Sequence, residues 1–333
     1  MALAFWSGVV SLSYAQTTTN LSAPRFAHKK PVLSVAFSSD GATVASARED
    51  RTVRLWNTAD GSLLRQLTGF HGRVTGVAFS PTEDLLATVS SDGSITLWRP
   101  STGILQKLVK RRGLELSAVA FSRDGHLFAT GGQSRIIDLW QTDGSLVRSI
   151  RGHRADITAL AFSPDSENLA SADYNGAISL WRVADGTAIH QIRGHRRAVT
   201  SLKFSPDGQT LASASFDNSI KLWTVPHLNL HRTINARSKM VYAMAWSPDG
   251  KTIATGGWDN TIKVWDTDTW EWWEVKGNGN SVLALAFSPH GGLLCSGGAD
   301  RTVRLWTIPA VSKPSLLRFC AATPPNAPLQ AQN

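Results

Sequence analysis

Hydroxyl, histidine and aspartate residues recur together along this sequence, and these residue types can act as the nucleophile, base and orienting carboxylate of acyl transfer. Each group precedes a tryptophan at a fixed spacing: the aspartate six residues before it, the hydroxyl ten residues before it, and the histidine 21 or 22 residues before the aspartate. Three groups are complete: His28, Ser46, Asp50 and Trp56; His71, Thr88, Asp92 and Trp98; His195, Ser213, Asp217 and Trp223. An active site needs one such group in a cleft, so their repetition favours a structural role, and the sequence predicts neither a catalytic residue nor an enzyme.

The sequence also predicts no cofactor and no metal site. Its nine histidines form neither an HExxH motif nor a Cys/His cluster at ligand spacing, and it has no glycine-rich phosphate loop. Its two cysteines, Cys295 and Cys320, match no redox or metal motif. Function must therefore be sought on a binding surface.

The tryptophan at the end of each group marks a repeat of 41 or 42 residues that runs through most of the 333-residue chain. The seven endings are Trp56, Trp98, Trp140, Trp181, Trp223, Trp265 and Trp306. Each unit contains short apolar segments separated by turn pairs such as Asp-Gly and Asp-Asn, which suit tight hairpins. A period of 40 to 45 residues is typical of radially repeated β-sheets. The sequence predicts an all-β fold, a seven-bladed β-propeller with four antiparallel strands in each blade, over residues 16–310.

The unit is clearest at residues 204–223, FSPDGQTLASASFDNSIKLW, and the pattern resembles the WD-repeat family of seven-bladed β-propellers over residues 21–306. The resemblance implies that histidine, hydroxyl, aspartate and tryptophan form a hydrogen-bonded set inside each blade. All seven units have the hydroxyl, but the aspartate is replaced in units 3 and 4, and the histidine in units 3, 6 and 7: Ser134 and Asn175, and Arg112, Arg237 and Asn278. We therefore expect complete sets in blades 1, 2 and 5, and blades 3, 6 and 7 held more by packing.

The two ends of the chain differ from the repeats. Residues 1–15 are apolar and uncharged and end in a small-x-small site, which favours a signal segment and an exported or periplasmic protein, with a cytoplasmic location as the alternative. This apolar run is too short to span a bilayer. Residues 311–333 are predicted to form a tail, with a candidate edge strand at 315–320 followed by a disordered segment. The last blade could take its fourth strand from that segment or, as in the family, from residues 20–26.

The resemblance places the histidine and aspartate loops on one rim, the top face, where three consecutive units carry an aromatic residue just before the aspartate position. These are Tyr174, Phe216 and Trp258, and Met240 and Tyr242 belong to the neighbouring first strand of unit 6. Clustered aromatic and methionine side chains are typical of interface hot spots, because they offer a large apolar area with few rotors to freeze. The alternative is that these rings pack on neighbouring loops.

Basic residues crowd the same rim of a chain whose net charge is +9: Arg73, Arg112, Arg154, Arg196, Arg197 and Lys239. We interpret the chain as a scaffold, a monomeric propeller within a larger complex, that presents a basic, aromatic top face to an acidic or amphipathic segment of a protein partner. One alternative is an enzyme or small-ligand-binding propeller that uses the central channel. A second is electrostatic binding of nucleic acid, which no recognised nucleic-acid motif supports.

Overall fold

A computed structural model describes residues 26–27, 30–110 and 114–308. Within these ranges the chain forms 28 strands, numbered in chain order: β1 (Phe26–Ala27), β2 (Val32–Phe37), β3 (Thr43–Arg48), β4 (Val53–Asn57), β5 (Leu63–Leu67), β6 (Val74–Phe79), β7 (Leu86–Ser90), β8 (Ser94–Arg99), β9 (Ile104–Lys110), β10 (Leu116–Phe121), β11 (Leu127–Gly132), β12 (Ile136–Gln141), β13 (Leu146–Arg151), β14 (Ile157–Phe162), β15 (Asn168–Asp173), β16 (Ala177–Arg182), β17 (Ala188–Arg193), β18 (Val199–Phe204), β19 (Thr210–Ser215), β20 (Ser219–Thr224), β21 (Asn229–Asn235), β22 (Val241–Trp246), β23 (Thr252–Gly257), β24 (Ile262–Asp266), β25 (Trp272–Val275), β26 (Val282–Phe287), β27 (Leu293–Gly298) and β28 (Thr302–Thr307). The predicted signal segment, the C-terminal tail with residues 315–320, His28 and Arg112 lie outside the described residues. No helix in the described ranges is long and apolar enough to cross a membrane.

The strands form seven antiparallel sheets of four strands, which confirms the predicted seven-bladed propeller. Six sheets are built from consecutive strands, from β2–β5 through β22–β25. The seventh combines β26, β27 and β28 with β1, in which Phe26 pairs with Val303 and Ala27 with Thr302. The first described strand of the chain thus occupies the outer position of the last blade.

The core lies between blades rather than within them. Each of seven apolar clusters joins one face of a blade to the facing side of the next blade, and the last cluster joins Val303 and Cys295 of blade 7 to Val32 and Trp56 of blade 1. A sheet that is apolar on both faces can bury them only by stacking on both sides, so the ring closes.

Hydroxyl groups on the inner strands add hydrogen bonds between neighbouring blades. Thr75 donates to the carbonyl of Leu116 at 2.5 Å, and Thr200 donates to that of Val241 at 2.8 Å. Ser117 and Thr158 make the same bond to the next blade. These bonds satisfy backbone carbonyls of the strands at the inner edge of each sheet.

The hairpin turns have the backbone geometry that their sequences predict. Gly93 and Gly176 have φ of 78° and 86°, and Asn218 and Asn260 have φ of 71° and 64°. Glycine and asparagine are the residues that adopt this left-handed region most readily. These turns hold the aspartates of the repeat at the top face.

Candidate functional site

Complete hydrogen-bonded sets form in blades 4 and 5. In blade 5, Trp223 Nε1 lies 2.8 Å from Ser213 Oγ, which lies 2.7 Å from His195 Nε2, and His195 Nδ1 lies 3.0 Å from Asp217 Oδ2. An indole can only donate and a carboxylate can only accept, so Ser213 donates to Nε2 and the imidazole Nδ1–H donates to Asp217. The structure thus brings together the set predicted for blade 5.

The prediction for blade 4 is wrong, because this blade has a complete set that the spacing rule missed. His153 Nδ1 lies 3.0 Å from Asp173 Oδ2, and His153 Nε2 and Trp181 Nε1 lie 2.6 and 2.7 Å from Ser171 Oγ. The carboxylate comes from Asp173, two residues before Asn175. Because Asp173 Oδ1 also accepts the backbone N–H groups of Asn175 and Ala177 at 3.0 Å, it closes the turn as well as the set.

Blade 2 lacks the set predicted for it. His71 is exposed and has no hydrogen-bond partner among the described residues. Trp98 Nε1 donates instead to Thr96 at 2.7 Å, and the hydroxyls of Thr96 and Thr88 lie 2.5 Å apart. Thr96 therefore satisfies both buried groups without an imidazole, while Asp92 accepts bonds from the backbone and hydroxyl of Ser94.

Blades 6 and 7 use a cation in place of histidine, which corrects the expectation that they are held more by packing than by a polar set. Lys263 Nζ contacts the carboxylate of Asp259, and Arg304 Nη1 lies 2.5 Å from Asp300 Oδ2. Both cations are buried and stand two residues before the blade tryptophan. Sequence reasoning missed this position because its residue type changes from blade to blade: Arg54, Thr96, Asp138, Ser179, Lys221, Lys263 and Arg304.

In blade 1, Trp56 Nε1 donates to Ser46 Oγ at 2.9 Å, as expected. Asp50 lies 2.9 Å from the buried guanidinium of Arg48, and it accepts the Thr52 hydroxyl at 2.7 Å. The histidine predicted to complete this set, His28, lies outside the described residues.

The sets have no access for a substrate. Ser171 and Ser213, which would be the nucleophiles, are 0% exposed, and each hydroxyl already contacts an imidazole and an indole. A nucleophile must be reachable from a cleft, so these sets stabilise the blades.

We expect the protein to lose stability as the pH falls below about 4. Burial alone would raise the pKa of Asp217, but hydrogen bonds from His195, Ser219 and the Arg196 backbone outweigh it and hold that pKa well below its usual value; the pKa of Asp173 is lowered in the same way. A carboxylate with a lower pKa when folded stabilises the protein above its unfolded pKa, and this contribution is lost as the pH falls through the folded pKa. Urea unfolding between pH 6 and 2.5 measures this loss, and the Asp173→Asn, Asp217→Asn variant should show a shallower decline.

The top face contains a ring of seven equivalent positions, one per blade, fixed by the backbone. The residue just before each aspartate position donates its N–H to the loop that enters the same blade, as Tyr174 does to Asp156 O at 2.9 Å, Phe216 to Ala198 O at 3.0 Å and Trp258 to Met240 O at 3.1 Å. The other four members are Glu49, Ser91, Gln133 and Ala299. Aromatic side chains therefore stand at matching places on blades 4, 5 and 6.

Only part of the predicted aromatic patch is free. Tyr174 is 61% exposed and Trp258 is 55% exposed. Phe216 and Tyr242 are half-buried and stack edge to face with ring centroids 5.3 Å apart, and the Tyr242 hydroxyl lies 3.8 Å from Met240 Sδ. Burial also raises the pKa of Tyr242. Phe216, Met240 and Tyr242 thus form a packed floor, and Tyr174 and Trp258 are exposed at the equivalent positions of the blades on either side of Phe216.

The cations of the top face divide into two groups. Arg73 in blade 2 is paired with Glu115 at 3.0 Å and lies 4.0 Å from Glu49. Four other cations are exposed and have no ion-pair partner among the described residues: Arg154, Arg196, Arg197 and Lys239. These four precede the inner strands of blades 4, 5 and 6, which also carry the aromatic residues.

Comparisons with known proteins agree with this architecture. The family model described as the IFT122 first β-propeller matches residues 2–185, more than half of the chain, and the model of the WD domain, G-beta repeat, matches residues 186–224, 228–266 and 272–307. A local match is the vegetative incompatibility protein HET-E-1 of Podospora anserina, 54% identical over 35 residues. That segment is 10% of this chain and 3% of the curated protein, so it bears on a single repeat.

Proposed function

The chain belongs to the WD-repeat β-propeller family, whose members typically act as protein-interaction scaffolds, and we propose that its top face binds an acidic, amphipathic segment of a protein partner. Tyr174 and Trp258 are the anchors of this interaction. The observation that carries the proposal is that exposed aromatic rings and unpaired cations share blades 4 to 6, whereas Arg73 in blade 2 is held by Glu115 and Glu49.

The packed floor supports binding because it is already ordered. Phe216 and Tyr242 already pack edge to face. Their rings therefore lose little further freedom when an apolar side chain of the partner binds between Tyr174 and Trp258. Preorganised surfaces lose little conformational entropy on binding, and buried Trp and Tyr anchors each contribute about 2 kcal/mol or more.

The cations select the charge of the partner. With Arg154, Arg196, Arg197 and Lys239 unpaired, a segment that carries carboxylates beside its apolar residue meets a complementary potential, which raises the association rate and disfavours basic segments.

The Tyr174→Ala, Trp258→Ala double variant is expected to lose partner binding by about a hundredfold or more, because two anchors are removed. Immobilised wild-type and variant chains would be exposed to the same cell extract, and the retained proteins quantified by mass spectrometry. The matched control is Glu49→Ala, Gln133→Ala, which changes two members of the same ring in blades 1 and 3 and should retain the partner.

Two outcomes would contradict the proposal. In the first, every protein retained by the wild type is also retained by the double variant, whose fold is checked by its melting temperature. In the second, the retained material is removed by nuclease and its affinity falls steeply with salt, which favours the nucleic-acid alternative.

A further inference from the structure

The central channel contains one lysine in a ring of alanines. Each inner strand places one residue at the same register, opposite a small residue of the second strand, and all seven line one cavity. Six of these residues are Ala36, Ala78, Ala120, Ala161, Ala245 and Ala286, and the seventh is Lys203. The six alanine methyl groups leave the channel open at this level. The long Lys203 side chain therefore has room that larger side chains at these positions would fill.

Lys203 lies where two parts of the channel meet. The lower cavity, at the end where the inner strands finish, has a volume of about 530 Å³ and is lined by the alanine ring and by the aromatic residue that follows it in each blade, such as Phe37, Phe121 and Trp246. The upper cavity, of about 170 Å³, is lined by hydroxyl and apolar side chains. The lower volume falls in the range of small-molecule pockets, and Lys203 lines both cavities.

The charge in this channel is uncompensated. Arg123 and Lys203 are the charged residues among the described residues that line the lower cavity, and neither has an ion-pair partner in the described part of the chain. Lys203 is exposed to the solvent of the channel, and desolvation by the surrounding channel walls lowers the pKa of its amine. An unpaired cation inside a channel attracts anions more strongly than a surface lysine, because the protein walls concentrate its field.

We propose that the lower cavity binds a small molecule that carries a carboxylate on an apolar chain or ring. The carboxylate forms a charge-assisted hydrogen bond with Lys203, and the apolar part lies among the aromatic side chains towards the mouth. Arg123 stands at that mouth, where the other blades mostly have proline, and it attracts the anion to the entrance. This site is at the opposite end of the channel from the top face, so it is independent of the proposed scaffold function.

The probe for this proposal is octanoate, titrated into the full chain by isothermal titration calorimetry. We expect one site with a Kd of about 1 mM or tighter, as a ligand of this size allows. Lys203→Ala should weaken binding tenfold or more, because the charge-assisted bond is lost, and Lys203→Arg should retain most of it. Octanamide, which has the same apolar chain without the charge, should bind at least tenfold more weakly than octanoate.

The symmetry of the ring supplies a matched control. The Lys203→Ala, Ala120→Lys variant moves the ammonium to the equivalent position of blade 3 and should recover octanoate binding. Melting temperatures show whether each variant folds. The proposal is overturned if the wild type does not bind octanoate, if Lys203→Ala binds it as tightly as the wild type, or if octanamide binds equally well. Binding of inorganic phosphate with the same affinity would also overturn it, since a simple anion would then suffice.

Discussion

Asp217→Ala is expected to lower the free energy of unfolding by about 3 kcal/mol or more, because Asp217 joins several hydrogen bonds of blade 5. Asp217 accepts hydrogen bonds from His195 Nδ1 and the Arg196 backbone, both at 3.0 Å, and from the backbone and hydroxyl of Ser219. Its removal takes the carboxylate acceptor from the buried imidazole of His195 and leaves only the Ser219 hydroxyl, at 3.2 Å, near Nδ1. The loss should pass along the chain of bonds to Ser213 and Trp223, since each member orients the next.

The matched control is Asp92→Ala in blade 2, which changes the same repeat position. Asp92 bonds to Ser94 and receives no bond from a histidine, so we expect a loss of about 1 kcal/mol. Urea unfolding followed by tryptophan fluorescence measures both variants. Equal losses in the two blades would mean that the imidazole does not transmit stability, contrary to the geometry of blade 5.

The number and order of the blades could be predicted because each blade ends in one tryptophan at a regular spacing. The indole of each tryptophan packs against the neighbouring blade, as Trp223 does against the apolar residues of blade 4, so no blade can lose it without opening the core. Its spacing of 41 or 42 residues therefore follows directly from the length of a four-stranded sheet with tight turns. In six blades the hydroxyl ten residues before the tryptophan is fixed in the same way, because it accepts a hydrogen bond from the indole on the paired strand.

The polar partner of that hydroxyl could not be predicted from spacing, because several residue types can satisfy the same buried atoms. A carboxylate reaches His153 from Asp173 rather than from the expected position, since both positions lie on the same hairpin turn. In blade 2 the hydroxyl of Thr96 bonds directly to that of Thr88 and to the indole of Trp98, so no imidazole is needed. Spacing fixes where a backbone atom lies, but not which side chain completes a hydrogen bond.

The same limit applies to the top face. The backbone ring of equivalent positions follows from the repeat, so the sequence could place Tyr174, Phe216 and Trp258 on adjacent blades. It could not show that Phe216 rests on Tyr242 while Trp258 remains exposed, because that depends on rotamers and on the neighbouring loop. Nor could it show that Glu115 pairs with Arg73, which leaves the unpaired charge on the aromatic side of the ring.

Asp300→Ala is expected to lower the free energy of unfolding by about 3–5 kcal/mol, because it leaves the buried guanidinium of Arg304 without its carboxylate. Arg304 Nη1 lies 2.5 Å from Asp300 Oδ2 and 3.1 Å from Asn278 Oδ1. Asp300 also accepts the Gly279 N–H at 2.8 Å and the Thr302 N–H at 3.1 Å, so it ties the entering loop of blade 7 to its hairpin. Blade 7 closes the ring, and hydrogen exchange should therefore rise first in the amides of β26 to β28.

A double variant separates the ion pair from the role of Asp300 in the turn. Asp300→Ala with Arg304→Met removes both charges and keeps an apolar side chain beside Trp306, so it should be more stable than Asp300→Ala alone, since a buried pair replaced by apolar groups often costs little. The stability that it recovers measures the cost of the unpaired guanidinium. If the double variant is as unstable as the single one, the loss comes from the turn bonds to Gly279 and Thr302. In that case, the cation at this position does not replace the histidine of the other blades.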